Sequence, residues 1–154
     1  MTSEAARTGW PRTCVAREII VISSVAGFAP LIARTGYAAS KHALHGFYDS
    51  LRTEVEPMGL KVMLVCPSFI QTGIEKNALD GHGLPARHPQ AIVGVRATPQ
   101  SIADRIFQAA ARERRLLLPD SVSRSSWWVS RLAPRLYERL MVAKLDKEMR
   151  GGGR

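Results

Sequence analysis

The 154-residue chain is poor in three things that would each mark a particular kind of protein. Cys14 and Cys66 are its only cysteines, which excludes a disulfide framework and a cysteine-ligated metal site. No apolar run reaches the roughly 20 residues that a membrane-spanning helix needs. The longest uncharged stretch, Ile19 to Ala33, is interrupted by Ser23, Ser24, Gly27 and Pro30. There is no run of five like charges, no zinc-type spacing and no aromatic–basic RNA motif. The net charge of +9 therefore reads as a basic surface on an arginine-rich chain rather than a nucleic-acid-binding arm. Residues 1–17 carry Arg7, Arg12 and Arg17 without the apolar core and cleavage site of a signal peptide. The expectation is a cytoplasmic protein with no nucleic-acid partner and no metal.

Hydrophobic residues make up 45% and charged residues 23%, enough apolar content to bury a core in one domain. Ile19–Ser23, "IIVIS", is a β-branched run of the kind a parallel sheet buries on both faces. Gly36–Glu56 follows with Leu44, Phe47, Leu51 and Val55 at spacings of three and four, an amphipathic helix that Pro57 and Gly59 stop. Leu60–Cys66 is a second strand, ended by Pro67, in which Cys66 is expected as a small buried side chain. Residues 67–97 show no clear period and predict a long loop with one short helix, of the sort that covers a site. Thr98 and Pro99 then open a helix with Ile102, Ile106 and Ala110 on one face. Arg115–Pro119 is a short third strand. Strand, helix, strand, helix, strand is the pattern of right-handed crossovers in a doubly wound sheet. In the tail, Trp128, Leu132, Leu136 and Leu140 share a helical face broken or kinked at Pro134.

Ser23 and Ser24 stand at the carboxyl end of the first strand, where open α/β sheets bind ligands. Tyr37 and Lys41 are four residues apart at the start of the helix, on one face with about 6 Å of axial rise. A free phenol has a pKa of about 10, and a neighbouring ammonium lowers it toward usable acid/base chemistry. A serine hydroxyl can hold a substrate oxygen beside such a phenol. Singly, each feature reads better as structure: a packed ring beside a solvated stem, or a pair of serines capping a turn. The thirteen-residue spacing from Ser24 to Tyr37 and the pentad "YAASK" after a buried strand are far more specific in combination. A serine hydrolase is a poor fit, because no G-x-S-x-G elbow surrounds Ser24. His42 and His45 are expected on the helix surface.

The segments "VISSVAG", "YAASKHAL" and "VMLVCPSFIQT" resemble the short-chain dehydrogenase/reductase superfamily in order and spacing, from about Glu18 to Pro119. The resemblance implies the C-terminal half of a doubly wound, Rossmann-like parallel sheet, three strands with flanking helices, followed by a helical tail. The domains so expected are an unmatched segment 1–17, a partial catalytic domain 18–119 and a basic amphipathic tail 120–154. It implies Tyr37 as acid/base and Lys41 as its partner and ribose-binding group. Ser24 would orient the substrate oxygen, with Ser23 as a structural neighbour. Pro67, Ser68, Ile70 and Thr72 would line the nicotinamide pocket of NAD or NADP. Pro67-Ser68 replaces the family's usual Pro-Gly. The implied reaction is hydride transfer between a nicotinamide cofactor and a small carbonyl or alcohol.

The family's strand, Gly-rich turn and helix for the pyrophosphate have no counterpart here. Gly81–Ala86, "GHGLPA", fits the glycine pattern literally, but Pro85 and Pro89 forbid the helix and no buried strand precedes it. The only asparagine, Asn77, lies downstream of the serine and fills neither asparagine role of the family. A fragment is thus expected, with "IIVIS" an exposed edge strand and the isolated chain inactive. The alternative is an inactive half-domain acting as an interaction module. A homo-oligomer through helix 37–56 is expected. The tail, with eight Lys/Arg against three Asp/Glu over residues 121–154, is expected to pack on the body or on a second subunit. Weak peripheral membrane contact is the other reading of it.

Overall fold

A strand of continuous β-branched residues and an amphipathic helix that returns over it set the architecture. In the computed structural model, residues 17–32, 34–71 and 96–151 are described, with side chains through Lys144. The elements are β1 (Glu18–Ile22), α1 (Thr35–Val55), β2 (Lys61–Val65), α2 (Pro99–Ala110), β3 (Leu116–Leu117), α3 (Ser121–Leu132) and α4 (Pro134–Gly151). The three strands form one parallel sheet in the order β1-β2-β3, with Ile19 opposite Val62 and Leu64 opposite Leu116. This is the α/β, Rossmann-like architecture expected from the pattern of elements.

Side chains alternate across a strand, so β2 divides its residues between two helices. Val62 and Leu64 join Val21 and Val55 beneath α1, while Met63 and Val65 pack with Ala109 of α2 on the other face. β2 is covered on both sides. β1 is covered only on the α1 side: Ile20 and Ile22 are 40% and 49% exposed. The expected burial of "IIVIS" on both faces therefore does not hold; among the described residues β1 pairs with β2 alone, as expected of an edge strand. The stripe of α1 that meets the sheet is Leu44, Tyr48, Leu51 and Val55. Phe47, read from the spacing as part of that stripe, is 62% exposed instead. Gly59 ends the turn after α1 with φ of +78°, a left-handed conformation that favours glycine.

Thr98 caps α2 by accepting the Ser101 N–H at 3.2 Å, with Pro99 at the first helical position, as the sequence predicts. β3 is shorter than the expected Arg115–Pro119, because Pro119 has no N–H to offer a ladder and Asp120 already caps α3. The tail breaks at Ala133 into α3 and α4, with Pro134 at the start of the second helix. Its inward line is Ser123, Ser126 and Tyr137, all buried. The stripe of Trp128, Leu132, Leu136 and Leu140 faces solvent in the single chain, so it is not the side by which the tail meets the body. Of the predicted loop, 72–95 lies outside the described residues, as do Cys14, Asn77 and the "GHGLPA" segment. Its ends are joined by a parallel bridge between Ile70 and Ala97. No described helix is long and apolar enough to cross a membrane.

Arg52 is a buried cation that the sequence pattern does not announce. Its Nε donates to the Val62 carbonyl at 2.9 Å, Nη2 to the Arg115 carbonyl at 3.3 Å, and Nη1 pairs with Asp49. It ties α1 to the sheet at two carbonyls. Replacing Arg52 with Ala removes this donor from the Val62 carbonyl, while the Arg115 carbonyl keeps the Leu64 N–H and Asp49 keeps water, with an expected loss of about 1–3 kcal/mol in urea denaturation. A change below about 0.5 kcal/mol would show that water replaces the guanidinium at no cost.

Candidate active site

The carboxyl end of β1 runs into a tight turn that stays attached to β2. Ser23 donates its N–H to the Val65 carbonyl at 2.8 Å, and Val25 donates to the Pro67 carbonyl at 3.2 Å. Ser24 sits between them in extended conformation, and its hydroxyl oxygen accepts the Ala26 N–H at 3.2 Å. That cap uses one lone pair and leaves the hydroxyl proton available to a ligand.

Lys41 reaches back from α1 to this strand end: its Nζ donates to the Ile22 carbonyl at 3.2 Å. One turn earlier, the Tyr37 ring centre lies 5.7 Å from the same Nζ, and Tyr37 is 42% exposed. Lys41 and Tyr37 are thus together, and Ser24 stands two residues beyond the carbonyl that anchors Lys41. The ammonium keeps two further N–H groups for other partners. Ser24 and the Lys41 ammonium both stand at the carboxyl end of β1, and Tyr37 lies beside Lys41.

The segment after β2 borders the same edge. Pro67 is buried. The Ser68 N–H donates to Asp120 Oδ2 at 3.0 Å, while Asp120 Oδ1 accepts the Ser123 N–H at 2.7 Å. One carboxylate therefore caps α3 and fixes the Pro-Ser segment, which no motif in the sequence foretold. Gln71 N–H donates to the Ala97 carbonyl at 2.9 Å, and Ala97 N–H to the Phe69 carbonyl at 3.0 Å. That pairing leaves Ile70's own N–H and carbonyl out of the bridge. Thr72 lies outside the described residues.

His45 corrects the expectation that both histidines lie on the helix surface. His42 does, with its Nδ1 2.9 Å from the Ala38 carbonyl. His45 is half-buried, its Nε2 3.1 Å from Ser23 Oγ and 3.5 Å from Cys66 Sγ. The signal was present in the spacing, since Tyr37, Lys41 and His45 recur every fourth residue along one face. Burial lowers the His45 pKa from its ordinary 6.5, Asp49 opposing and His42, Arg131 and Arg52 adding to the effect. The ring at this position is accordingly neutral at neutral pH. Burial pushes the Cys66 thiol up to about 12, against hydrogen bonding from Ser23, so it is inert as a nucleophile. Gly27 packs directly on this cluster. A Cβ there would fall 2.5 Å from Ser23 Oγ and 2.6 Å from His45 Nε2. Phe28 continues the packing to α3, edge-on to Trp127 at 4.8 Å, with the Arg131 guanidinium stacked 3.1 Å over the Trp127 ring.

The fold and the strand-end serine beside a helix bearing the tyrosine–lysine pair invite comparison with known proteins. The family described as short chain dehydrogenase matches residues 15–82. A dehydrogenase/reductase SDR family protein 7-like of Anopheles gambiae is 38% identical over 130 residues, 84% of this chain and 41% of that protein. A dehydrogenase/reductase SDR family member 7B of Mus musculus is 34% identical over 133 residues, again 84% and 41%. A short chain dehydrogenase from Burkholderia cenocepacia, solved in complex with NADP, superposes with a TM-score of 0.65 at 15% identity over 80% of this chain and 46% of that one. One from Burkholderia phymatum in complex with NAD gives 0.63 at 21%, covering 79% and 49%. The chain belongs to the short-chain dehydrogenase/reductase superfamily, resembling its C-terminal half. It spans about 41% of the length of these curated relatives.

Two measurements check the cluster behind the serine. Because the folded pKa of His45 lies below its unfolded value, the unfolded chain binds the extra proton. The stability that His45 contributes is present above about pH 6.5 and is lost as pH falls through the lower folded value. Urea midpoints from pH 7.5 to pH 5 are expected to fall, and His45→Gln to flatten that slope. Gly27→Ala is expected to cost about 1–3 kcal/mol by overpacking, whereas Gly46→Ala, with nothing within 4 Å, gains up to about 1 kcal/mol in mid-helix.

Proposed function

We propose that this chain carries the proton-transfer half of an NAD(P)-dependent oxidoreductase acting on a small carbonyl or alcohol. The observation that carries the reading is the Lys41 ammonium bonded to the last carbonyl of β1 with Tyr37 one turn away. In this reading the Ser24 hydroxyl donates to the substrate oxygen and holds it beside Tyr37. Tyr37 gives its phenolic proton to that oxygen on reduction and takes it back on oxidation. Lys41 sets positive charge beside the phenol and offers its remaining N–H groups to ribose hydroxyls. The nicotinamide, when bound, supplies or accepts the hydride at the carbonyl carbon.

The described residues fit the nicotinamide riboside end of such a cofactor. Ile70's unpaired backbone N–H and carbonyl suit a carboxamide, and Asp120 holds Ser68 in place beside them. Among the described residues no Gly-rich turn into a helix cradles a pyrophosphate, so this chain alone is proposed to bind a whole dinucleotide weakly. Reduced nicotinamide mononucleotide is therefore the appropriate donor for a test. At millimolar donor and an activated aldehyde, slow turnover is expected, and Tyr37→Phe is expected to lower it roughly 100-fold or more. Turnover unchanged in Tyr37→Phe would contradict the assignment.

A second reading has its own observation. Phe47 stands 62% exposed on the outward side of α1, and the β1 edge is open. These surfaces support an interaction module that pairs with a relative or a second copy. Mixing the chain with a full-length relative and following the heterodimer by size-exclusion chromatography separates this reading from the catalytic one.

A further inference from the structure

Away from the candidate active site, the open edge of β3 borders a hollow of about 340 Å³. Leu116, Leu117 and Leu118 line it together with Arg105, Arg112, Arg114 and Arg124. No carboxylate lines the hollow, and none of these four guanidiniums forms an ion pair with a described residue. Four like charges converging without a counter-charge repel one another, and an anion seated among them removes that repulsion.

Arg124 also begins a line along α3. Arg124, Trp128 and Leu132 recur every fourth residue and so share one side of the helix. Trp128 is 61% and Leu132 77% exposed. Beyond the break at Ala133, α4 presents Leu136 and Leu140 on one side, each at least half exposed. Arg135 and Arg139, with Glu138 between them, lie exposed on the same helix. An arginine-ringed hollow thus continues into a ridge of tryptophan and leucine flanked by cations.

We infer that the hollow, α3 and α4 form a docking face for an anionic lipid bilayer. The arginines take a lipid phosphate, and Trp128 and Leu132 enter the boundary between headgroups and acyl chains. Tryptophan suits that boundary because its ring is apolar and its indole N–H stays with water. The combination of an apolar stripe with a strongly cationic flank is that of a helix lying in the membrane surface. A second copy of this chain is a poorer occupant, because pairing two such faces brings eight guanidiniums together. This inference does not depend on the proposed catalysis.

The test is co-sedimentation of the full chain with vesicles of phosphatidylcholine alone and of phosphatidylcholine mixed with phosphatidylserine. The chain is expected to bind the mixed vesicles, to release as salt rises, and to bind phosphatidylcholine far more weakly. Each cation near an anionic surface strengthens partitioning about fivefold, so Arg112→Gln with Arg124→Gln is expected to weaken it roughly 25-fold. Trp128→Ala with Leu132→Ala is expected to abolish sedimentation at the same lipid concentration. Ile22→Lys, on the open edge of β1, leaves binding unchanged. All of these positions are solvent-facing, and circular dichroism checks that each variant keeps the parent helix content. Should the Trp128/Leu132 variant lose it, Leu136→Gln with Leu140→Gln carries the same expectation. Equal binding to both vesicle types, no binding at all, or loss in Ile22→Lys alone would overturn the inference. So would a change in oligomeric state in the Trp128/Leu132 variant without a change in vesicle binding, which points to a protein partner.

Discussion

The Lys41 ammonium spans the gap between the first turns of α1 and the last carbonyl of β1, 3.2 Å from Ile22 O. The ladder to β2 continues past Ile22 through the Ser23 N–H, and the cation supplies a donor to the carbonyl just before it. In doing so it fixes the axial position of α1 relative to the sheet. Tyr37 stands one turn earlier beside the ammonium, while Ser24, two residues beyond Ile22, is held by the bonds that Ser23 and Val25 make to β2 and Pro67. The His45 ring extends the line from the same helix face into the turn, bonding Ser23 directly beneath Ser24. A cation, a phenol, an imidazole and two serines are therefore organised by one helix laid along one strand.

The sheet around them is asymmetric. β2 is enclosed between α1 and α2, and its residues from Val62 to Cys66 are buried. β1 is enclosed on one side only, and β3 contributes two residues. Arg52 and Asp120 compensate by tying neighbouring elements with side-chain bonds: Arg52 binds α1 to carbonyls at Val62 and beside β3, and Asp120 binds the start of α3 to Ser68. Such bonds matter most where apolar burial is incomplete, because leaving a buried carbonyl unpaired costs more than a typical hydrogen bond returns. The edge that carries the candidate site is thus held by polar ties as much as by packing.

Much of this was legible in the sequence, for identifiable reasons. The strands, the helices and the serine–tyrosine–lysine set follow from β-branched runs, helical spacing and stop signals at Pro57, Gly59 and Pro67. The family follows from the pentad at Tyr37–Lys41 and its distance from Ser24. The misreadings have a common physical origin, since periodicity gives a face but not what covers it. Phe47 and the Trp128–Leu140 stripe are apolar at helical spacing and still point to solvent. Ile20 and Ile22 are β-branched and still lack a covering layer. Conversely, Arg52, His45 and Asp120 work inside the structure although their residue types usually belong outside, because each finds partners far away in sequence.

The Lys41 ammonium holds Tyr37 beside the last carbonyl of β1, and the proposed proton transfer requires the Ser24 hydroxyl to stand next to that phenol. Proton NMR cross-relaxation between the Tyr37 ring and the Ser24 methylene measures this directly in the isolated chain. The account predicts cross-peaks between them that vanish in Lys41→Met while the α1 backbone remains helical. Cross-peaks from the Tyr37 ring only to Ser40 and Lys41, with none to Ser24, would contradict it.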